Sequence, residues 1–213
     1  MKLVNENCLD YFKIMGENSV DFTLTSPPYN RKRNDKYSLY DDIIEDYFSF
    51  NVEVIQNLQK ITKNYIFYNL QTNFYNRQDI YKLIGFFCND IKEIFVWEKT
   101  NPLPASGKSI TNAVEYFLVL TKNKIVAKET YTKNIIKSSV NSKMPKFHKA
   151  VMKQEIADYI IENFAYDSKL IFDPFMGLGT TGIAAAKHKK DFLGIELVKE
   201  YYDYAEERLN NDR

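Results

Sequence analysis

The sequence predicts an α/β fold, a mostly parallel sheet of seven strands with helices on both faces and one antiparallel strand. Three observations predict it. Short apolar runs of strand length alternate with amphipathic segments of helix length along the 213 residues, the signature of βαβ units. The alternation breaks once, at a loop carrying two prolines and a glycine, and strands joined without a crossover helix pair antiparallel. At 45% hydrophobic residues, a chain of this length fills one substantial core.

Taken in order, the candidate strands are residues 3–5, 20–25, 65–70, 91–97, 114–121, 170–172 and 192–196. The candidate helices are residues 8–15, 43–59, 77–86, 154–164, 181–188 and 199–209. The break lies between 91–97 and 114–121, where Lys99-Thr100-Asn101-Pro102-Leu103-Pro104-Ala105-Ser106-Gly107-Lys108 reads as a loop. The stretch after Thr121 has the weakest periodicity and is expected to be irregular.

Composition excludes several classes. Cys8 and Cys88 lie far apart and have no metal spacing, and with only His148 and His188 no zinc site is expected. No apolar run is long enough to span a membrane, and the N-terminus shows no signal peptide, so a cytoplasmic, reducing location is expected. The net charge of +1 is uninformative, but its distribution is not. Between Lys122 and Lys153 there are nine lysines against one acid, Glu129, and Arg31-Lys32-Arg33 forms a second cluster. Such runs usually serve as solvated surface. In a neutral protein a single basic segment also suits phosphate contact.

Ligands of open parallel sheets bind beyond the carboxyl ends of the strands. Two strand ends stand out. Residues 170–172 run into Asp173-Pro174-Phe175-Met176-Gly177-Leu178-Gly179-Thr180-Thr181-Gly182, followed by a helix. Glycines there let the backbone approach a ligand, and the helix start favours negative groups. Glu196, ending the next strand, is placed to bind ribose hydroxyls. The glycine spacing also matches a dinucleotide fingerprint, which alone is a weak signal. A carboxylate at Asp173 would repel pyrophosphate and suits a ligand bearing an ammonium group. Only 17 residues follow Glu196, too few to complete a dinucleotide fold. The remaining strands must therefore come from the N-terminal part, in the succession 170–172, 192–196, then 3–5, 20–25 and onward.

The second strand end is Ser26-Pro27-Pro28-Tyr29-Asn30. Two prolines stiffen the backbone and leave carbonyls without competing N–H donors. A hydroxyl, bare carbonyls and an aromatic face suit a flat, amine-bearing ligand such as a flipped-out base, with Tyr29 stacking on it.

With Thr25–Asn30 ahead of Asp173–Thr181, the chain resembles the β group of amino-DNA methyltransferases, the N4-cytosine and N6-adenine family, over nearly its whole length. Trp97-Glu98-Lys99-Thr100-Asn101-Pro102 resembles the family's segment after its sixth sheet strand, and residues 148–164 its histidine-led helix before the cofactor turn. The resemblance implies a Rossmann-like S-adenosylmethionine-dependent fold with circularly permuted motifs, a single catalytic domain over residues 1–213, and a short basic target-recognition segment at 122–148. It implies a cofactor pocket of Asp173, Phe175, Gly177 and Gly179, with Thr180 and Thr181 meeting the methionine carboxylate and Glu196 the ribose. It further implies that Ser26, Pro27, Pro28 and Tyr29 handle the target base. The chain departs from the pattern at Asn7, where family members often carry Asp, although Asn7 can still bond the cofactor adenine. It departs again at His148-Lys149-Ala150, which lacks the usual proline.

The implied partner is double-stranded DNA, with Arg31, Lys32, Arg33, Lys143 and Lys146 as candidate phosphate contacts. A homodimer and a cognate restriction enzyme fit the family, though no residue pattern marks either. Ser before the prolines points to cytosine N4; adenine N6 is the alternative. Less favoured readings are an RNA or protein-amide methyltransferase, a nicotinamide-dependent oxidoreductase and an inactive DNA-binding relative.

Overall fold

The structure is a computed structural model that describes residues 1–31, 42–102, 104–105, 107–140 and 151–211. In chain order the elements are β1 (Lys2–Asn5), α1 (Cys8–Phe12), β2 (Phe22–Thr25), α2 (Tyr47–Ile61), β3 (Ile66–Leu70), α3 (Arg77–Phe86), β4 (Ile91–Lys99), β5 (Val114–Leu120), β6 (Ile135–Ser138), α4 (Gln154–Phe164), β7 (Leu170–Asp173), α5 (Thr180–Lys187), β8 (Asp191–Glu196) and α6 (Lys199–Asn211). The strands form one sheet in the order β1-β8-β7-β2-β3-β5-β4-β6. All neighbours pair in parallel except β5, which runs antiparallel to β3 and to β4, as the missing crossover helix predicts.

Two expectations are corrected. The sheet has eight strands, because Ile135–Ser138 adds to β4 inside the stretch expected to be irregular. Its backbone is needed there to pair the otherwise bare edge of β4. The lateral order also differs. β1 is an edge strand beside β8, and β7 rather than β1 lies against β2. From β7 the chain winds through α5 to β8 on one side, and from β2 through α2 to β3 on the other. The winding therefore reverses between β7 and β2, and that reversal opens a crevice at their carboxyl ends.

The core lies in two layers because strand side chains alternate faces. Phe22, Leu24 and Phe67 pack on one side against Ile156, Ile160, Ile161 and Phe164 of α4, Ala184 and Ala185 of α5, and Leu209 of α6. Ile66, Tyr68 and Leu70 face the other layer, with Tyr11 and Phe12 of α1, Val54, Ile55 and Leu58 of α2, and Ile80 and Leu83 of α3. Helix α2 starts later than the apolar pattern suggests because Asp46 caps it, accepting from the Ser49 N–H at 3.0 Å. Among the described residues no helix is long and apolar enough to cross a membrane.

The antiparallel β5 also distributes the basic segment. Its last residue, Leu120, pairs with Ile66 and Ile91 at the amino ends of β3 and β4, so the lysines at 122, 124 and 128 begin on the rim opposite the crevice. Strand β6 then carries the chain back, and Ser138 reaches the crevice rim beside Lys99.

Candidate active site

Asp173 ends β7 and Thr25 ends β2, the two strands that flank the reversal. The Thr25 hydroxyl donates to Asp173 Oδ1 at 2.7 Å, the Thr181 hydroxyl to Oδ2 at 2.7 Å, and the Phe175 N–H to Oδ1 at 3.0 Å. Burial pushes the Asp173 carboxyl up to about 6, against the downward pull of the Thr25, Thr181 and Phe175 donors. The glycine turn and the proline turn are thereby joined through one carboxylate. Helix α2 joins them again through its first turn. The Tyr47 hydroxyl donates to the Pro28 carbonyl at 2.9 Å, and Phe50 packs on Phe175 with ring centroids 6.0 Å apart.

The glycine turn needs its glycines. Gly177 and Gly179 have φ of 52° and 81°, in the left-handed region that side chains disfavour. A Cβ on Gly182 would stand 2.8 Å from the Phe192 ring, so this position serves the close packing of α5 on β8. Glu196 is buried and reaches under the turn, Oε2 accepting from Gly177 N–H at 2.9 Å and Oε1 from Val198 N–H at 2.8 Å. Burial raises its carboxyl too, opposed by those donors. Each of its oxygens keeps acceptor capacity for a hydroxyl. Beside Thr180, Gln154 donates to the Thr180 carbonyl at 3.3 Å, while its buried Oε1 has no partner among the described residues. A cationic donor lodged near Asp173 and α5 would meet acceptors already in place. The residues present therefore fit a ligand with an ammonium at one end and a ribose at the other.

The proline turn is held as firmly. Ser26 Oγ donates to Asn69 Oδ1 at 3.0 Å and lies 2.8 Å from Tyr29 Oη, and Tyr29 Oη, which also touches Asn69 Oδ1, donates to Glu115 Oε2 at 2.9 Å. The Asn69 amide is oriented by donation to the Tyr116 carbonyl at 3.3 Å. Two hydroxyl hydrogens thus face two strong acceptors, and Ser26 Oγ retains a lone pair for an incoming donor. Glu115 is in turn paired with Lys99 at 2.7 Å, both side chains under 10% exposed, and the Lys99 ammonium sits 5.4 Å from the Trp97 ring centre. The Pro28 carbonyl is taken by Tyr47 and the Tyr29 carbonyl by Asn73 and Asn76. Among the described residues nothing donates to the Pro27 carbonyl.

The structure places the predicted residues as follows. Tyr29 is only 7% exposed, its hydroxyl is engaged, and the Arg31 guanidinium lies 5.4 Å over its ring, so the ring is a wall rather than an open stacking face. Burial and then the Glu115 charge push its phenol well above the usual value. The Thr181 hydroxyl is occupied by Asp173, which leaves Thr180 and the α5 N-terminus for a ligand carboxylate. Asn7 is exposed and caps α1, accepting from Leu9 N–H at 2.9 Å. Arg31 donates to Gln71 at 2.6 Å. Lys32, Arg33, Lys143, Lys146, His148 and Lys149 lie outside the described residues. Asn69, Lys99, Glu115 and Gln154 join the site from outside the two turns.

A mostly parallel sheet whose winding reverses between a carboxylate–glycine turn and a serine–proline turn fits the S-adenosylmethionine-dependent methyltransferase class. The family model described as DNA methylase, N6_N4_Mtase, matches residues 20–207, and the chain belongs to that family. The orphan methyltransferase M.BamHII of Bacillus amyloliquefaciens is 27% identical over 92% of this chain and 91% of its own length. Among solved structures, the cytosine-N4-specific PvuII DNA methyltransferase superposes with a TM-score of 0.78 at 15% identity, covering 99% of this chain and 90% of that one. The complex of M1.HpyAVI with SAM superposes at 0.71 with 22% identity, covering 98% of each chain. At these identities the two superpositions speak to the fold.

Proposed function

We propose that this DNA methylase transfers a methyl group from S-adenosylmethionine to the exocyclic N4 of a cytosine flipped out of double-stranded DNA. When bound, the cofactor supplies an electrophilic methyl group on a sulfonium. Asp173, Gln154 and Thr180 would hold its amino-acid end, Glu196 its ribose, and the Gly177–Gly179 turn, with Phe175, would line its path. Asn7, whose oxygen caps α1, would offer its amide nitrogen to the adenine. Ser26 Oγ and the Pro27 carbonyl accept the amine hydrogens of the base and draw the nitrogen lone pair out of conjugation. Pro28 stiffens the turn, and Tyr29 holds Ser26 in place from behind. The work done by the protein is positioning and electrostatics.

The observation that carries this reading is the Thr25–Asp173 hydrogen bond, which sets Ser26, the next residue, beside the cofactor turn. Ser26 backed by the neutral Asn69 amide favours cytosine, because no carboxylate stands first in the proline turn. The crevice-side part of the basic segment, together with Arg31, Lys32, Arg33, Lys143 and Lys146, is proposed to hold phosphates. The 122–128 end, on the opposite rim, is not. The test is incubation of the protein with unmethylated DNA and cofactor, then nucleoside mass spectrometry. N4-methylcytosine is expected. N6-methyladenine would move the assignment to adenine, and 5-methylcytosine or no modification would overturn the reading.

A further inference from the structure

The loop between β3 and α3 exposes two aromatic rings at the crevice rim that the fold does not use. Phe74 is 76% exposed and Tyr75 51%. Their rings meet edge to face at 5.4 Å, and the Arg77 guanidinium lies 5.4 Å over Phe74. The loop does not depend on these rings for its shape. Asn73 and Asn76 both donate to the Tyr29 carbonyl, at 2.8 and 2.7 Å. Asn76 Oδ1 accepts from Asn73 N–H at 2.7 Å, Asn73 Oδ1 accepts from Tyr75 N–H at 2.8 Å, and Asn112 donates to the Thr72 carbonyl at 2.6 Å. A network of side-chain amides therefore fixes the two rings to the back of the proline turn and holds them out into solvent.

We infer that Phe74 and Tyr75 form a stacking platform for the bases next to the extruded one, filling the gap it leaves in the duplex. Exposed apolar rings in water are unfavourable, so a rigid pair held there points to a partner with flat apolar faces. Base faces meet that description, and aromatic stacking on them tolerates any sequence. The flanking charges agree. Arg77 covers Phe74 and Arg31 is tied to Gln71 of the same loop, so two guanidinium groups border the rings where a polyanion would lie. The position agrees as well, since Asn73 and Asn76 of the loop bond the Tyr29 carbonyl, and a base whose amine meets the Ser26 hydroxyl and the Pro27 carbonyl would leave its neighbours toward this rim. The inference rests on the proposed amino-methyl transfer.

The test uses the full chain and a short duplex carrying the modified position, once that position has been mapped. Phe74→Ala/Tyr75→Ala should lower kcat/KM on the fully paired duplex about tenfold or more. Pairing the target with a mismatched base should restore the variant to within about twofold of wild type, because flipping is then easy. Cofactor binding by calorimetry should be unchanged, and Phe74→Leu, which keeps the apolar bulk without the flat face, serves if the double variant does not fold. Equal activity of wild type and variant on the paired duplex would overturn the platform, as would equal loss on paired and mismatched duplexes. Loss of self-association with methylation intact would also overturn it and make the rings a protein interface. A wild-type protein that methylates no duplex would instead sink the underlying reading.

Discussion

Asp173 is the residue at which folding and cofactor binding conflict. Its carboxyl is buried and pushed up to about 6 from an ordinary 3.8. The folded state thus keeps a proton that the unfolded chain releases between those values. Stability from this group is full below about pH 3.8 and is lost as pH rises through about 6. At about 1.4 kcal/mol per pH unit, the ionised carboxylate costs the cofactor-free fold about 3 kcal/mol at neutral pH. Asp173→Asn removes that cost. Its amide nitrogen faces a threonine hydroxyl that must turn and accept, which returns about 1 kcal/mol. The net gain is about 2 kcal/mol, a rise in melting temperature of roughly 4–8 °C for a domain of this size. The assay is thermal or urea unfolding of both cofactor-free proteins at pH 8 and pH 4. The variant should lead at pH 8, and the gap should close at pH 4. By calorimetry it should bind S-adenosylmethionine at least tenfold more weakly, since a neutral amide attracts an ammonium poorly. A variant no more stable than wild type at pH 8, or a gap that ignores pH, would refute the electrostatic reasoning.

Other consequences follow from the same geometry. Lys99→Met alone strands the buried Glu115 charge and should cost about 3–5 kcal/mol, whereas Lys99→Met/Glu115→Met should recover most of that stability. The double variant should still turn over more slowly, because Tyr29 loses its carboxylate partner; unfolding curves and kcat together check this. Gly182→Ala drives a methyl group into the Phe192 ring and should destabilise by about 1–3 kcal/mol, readable in a melting curve. Raising salt from about 50 to 200 mM should weaken DNA binding at least tenfold if basic side chains hold the phosphates. A flat response in a gel-shift or anisotropy titration would count against those contacts.

Much of the fold was legible because its signals are local. The apolar runs at 65–70, 114–121 and 192–196 have the length of strands, and the Pro/Gly loop between 91–97 and 114–121 foretold the antiparallel β5. Both turns of the site could be read because prolines and glycines constrain their own backbone. Lateral strand order has no such local signal. Whether β7 or β1 lies beside β2 depends on which helix covers which face, and no residue in either strand records it. Strand β6 was hidden for a different reason. Ile135-Ile136-Lys137-Ser138 is four residues long and stands at an edge, where alternate side chains face water. The polar support of Ser26 was invisible because Asn69 and Glu115 lie 43 and 89 positions away and converge only through the β2–β3 and β3–β5 pairings. The burial of Tyr29 has the same origin. An aromatic after two prolines reads as a free face until a distant carboxylate is seen to hold its hydroxyl.

A crystal structure of the protein with S-adenosylmethionine tests most directly whether the two turns form one site. The ammonium is predicted beside Asp173, the ribose on Glu196, and the sulfonium methyl facing Ser26 Oγ with room for a planar base between them. A cofactor seated away from Asp173, or a methyl group turned from the proline turn, would contradict it.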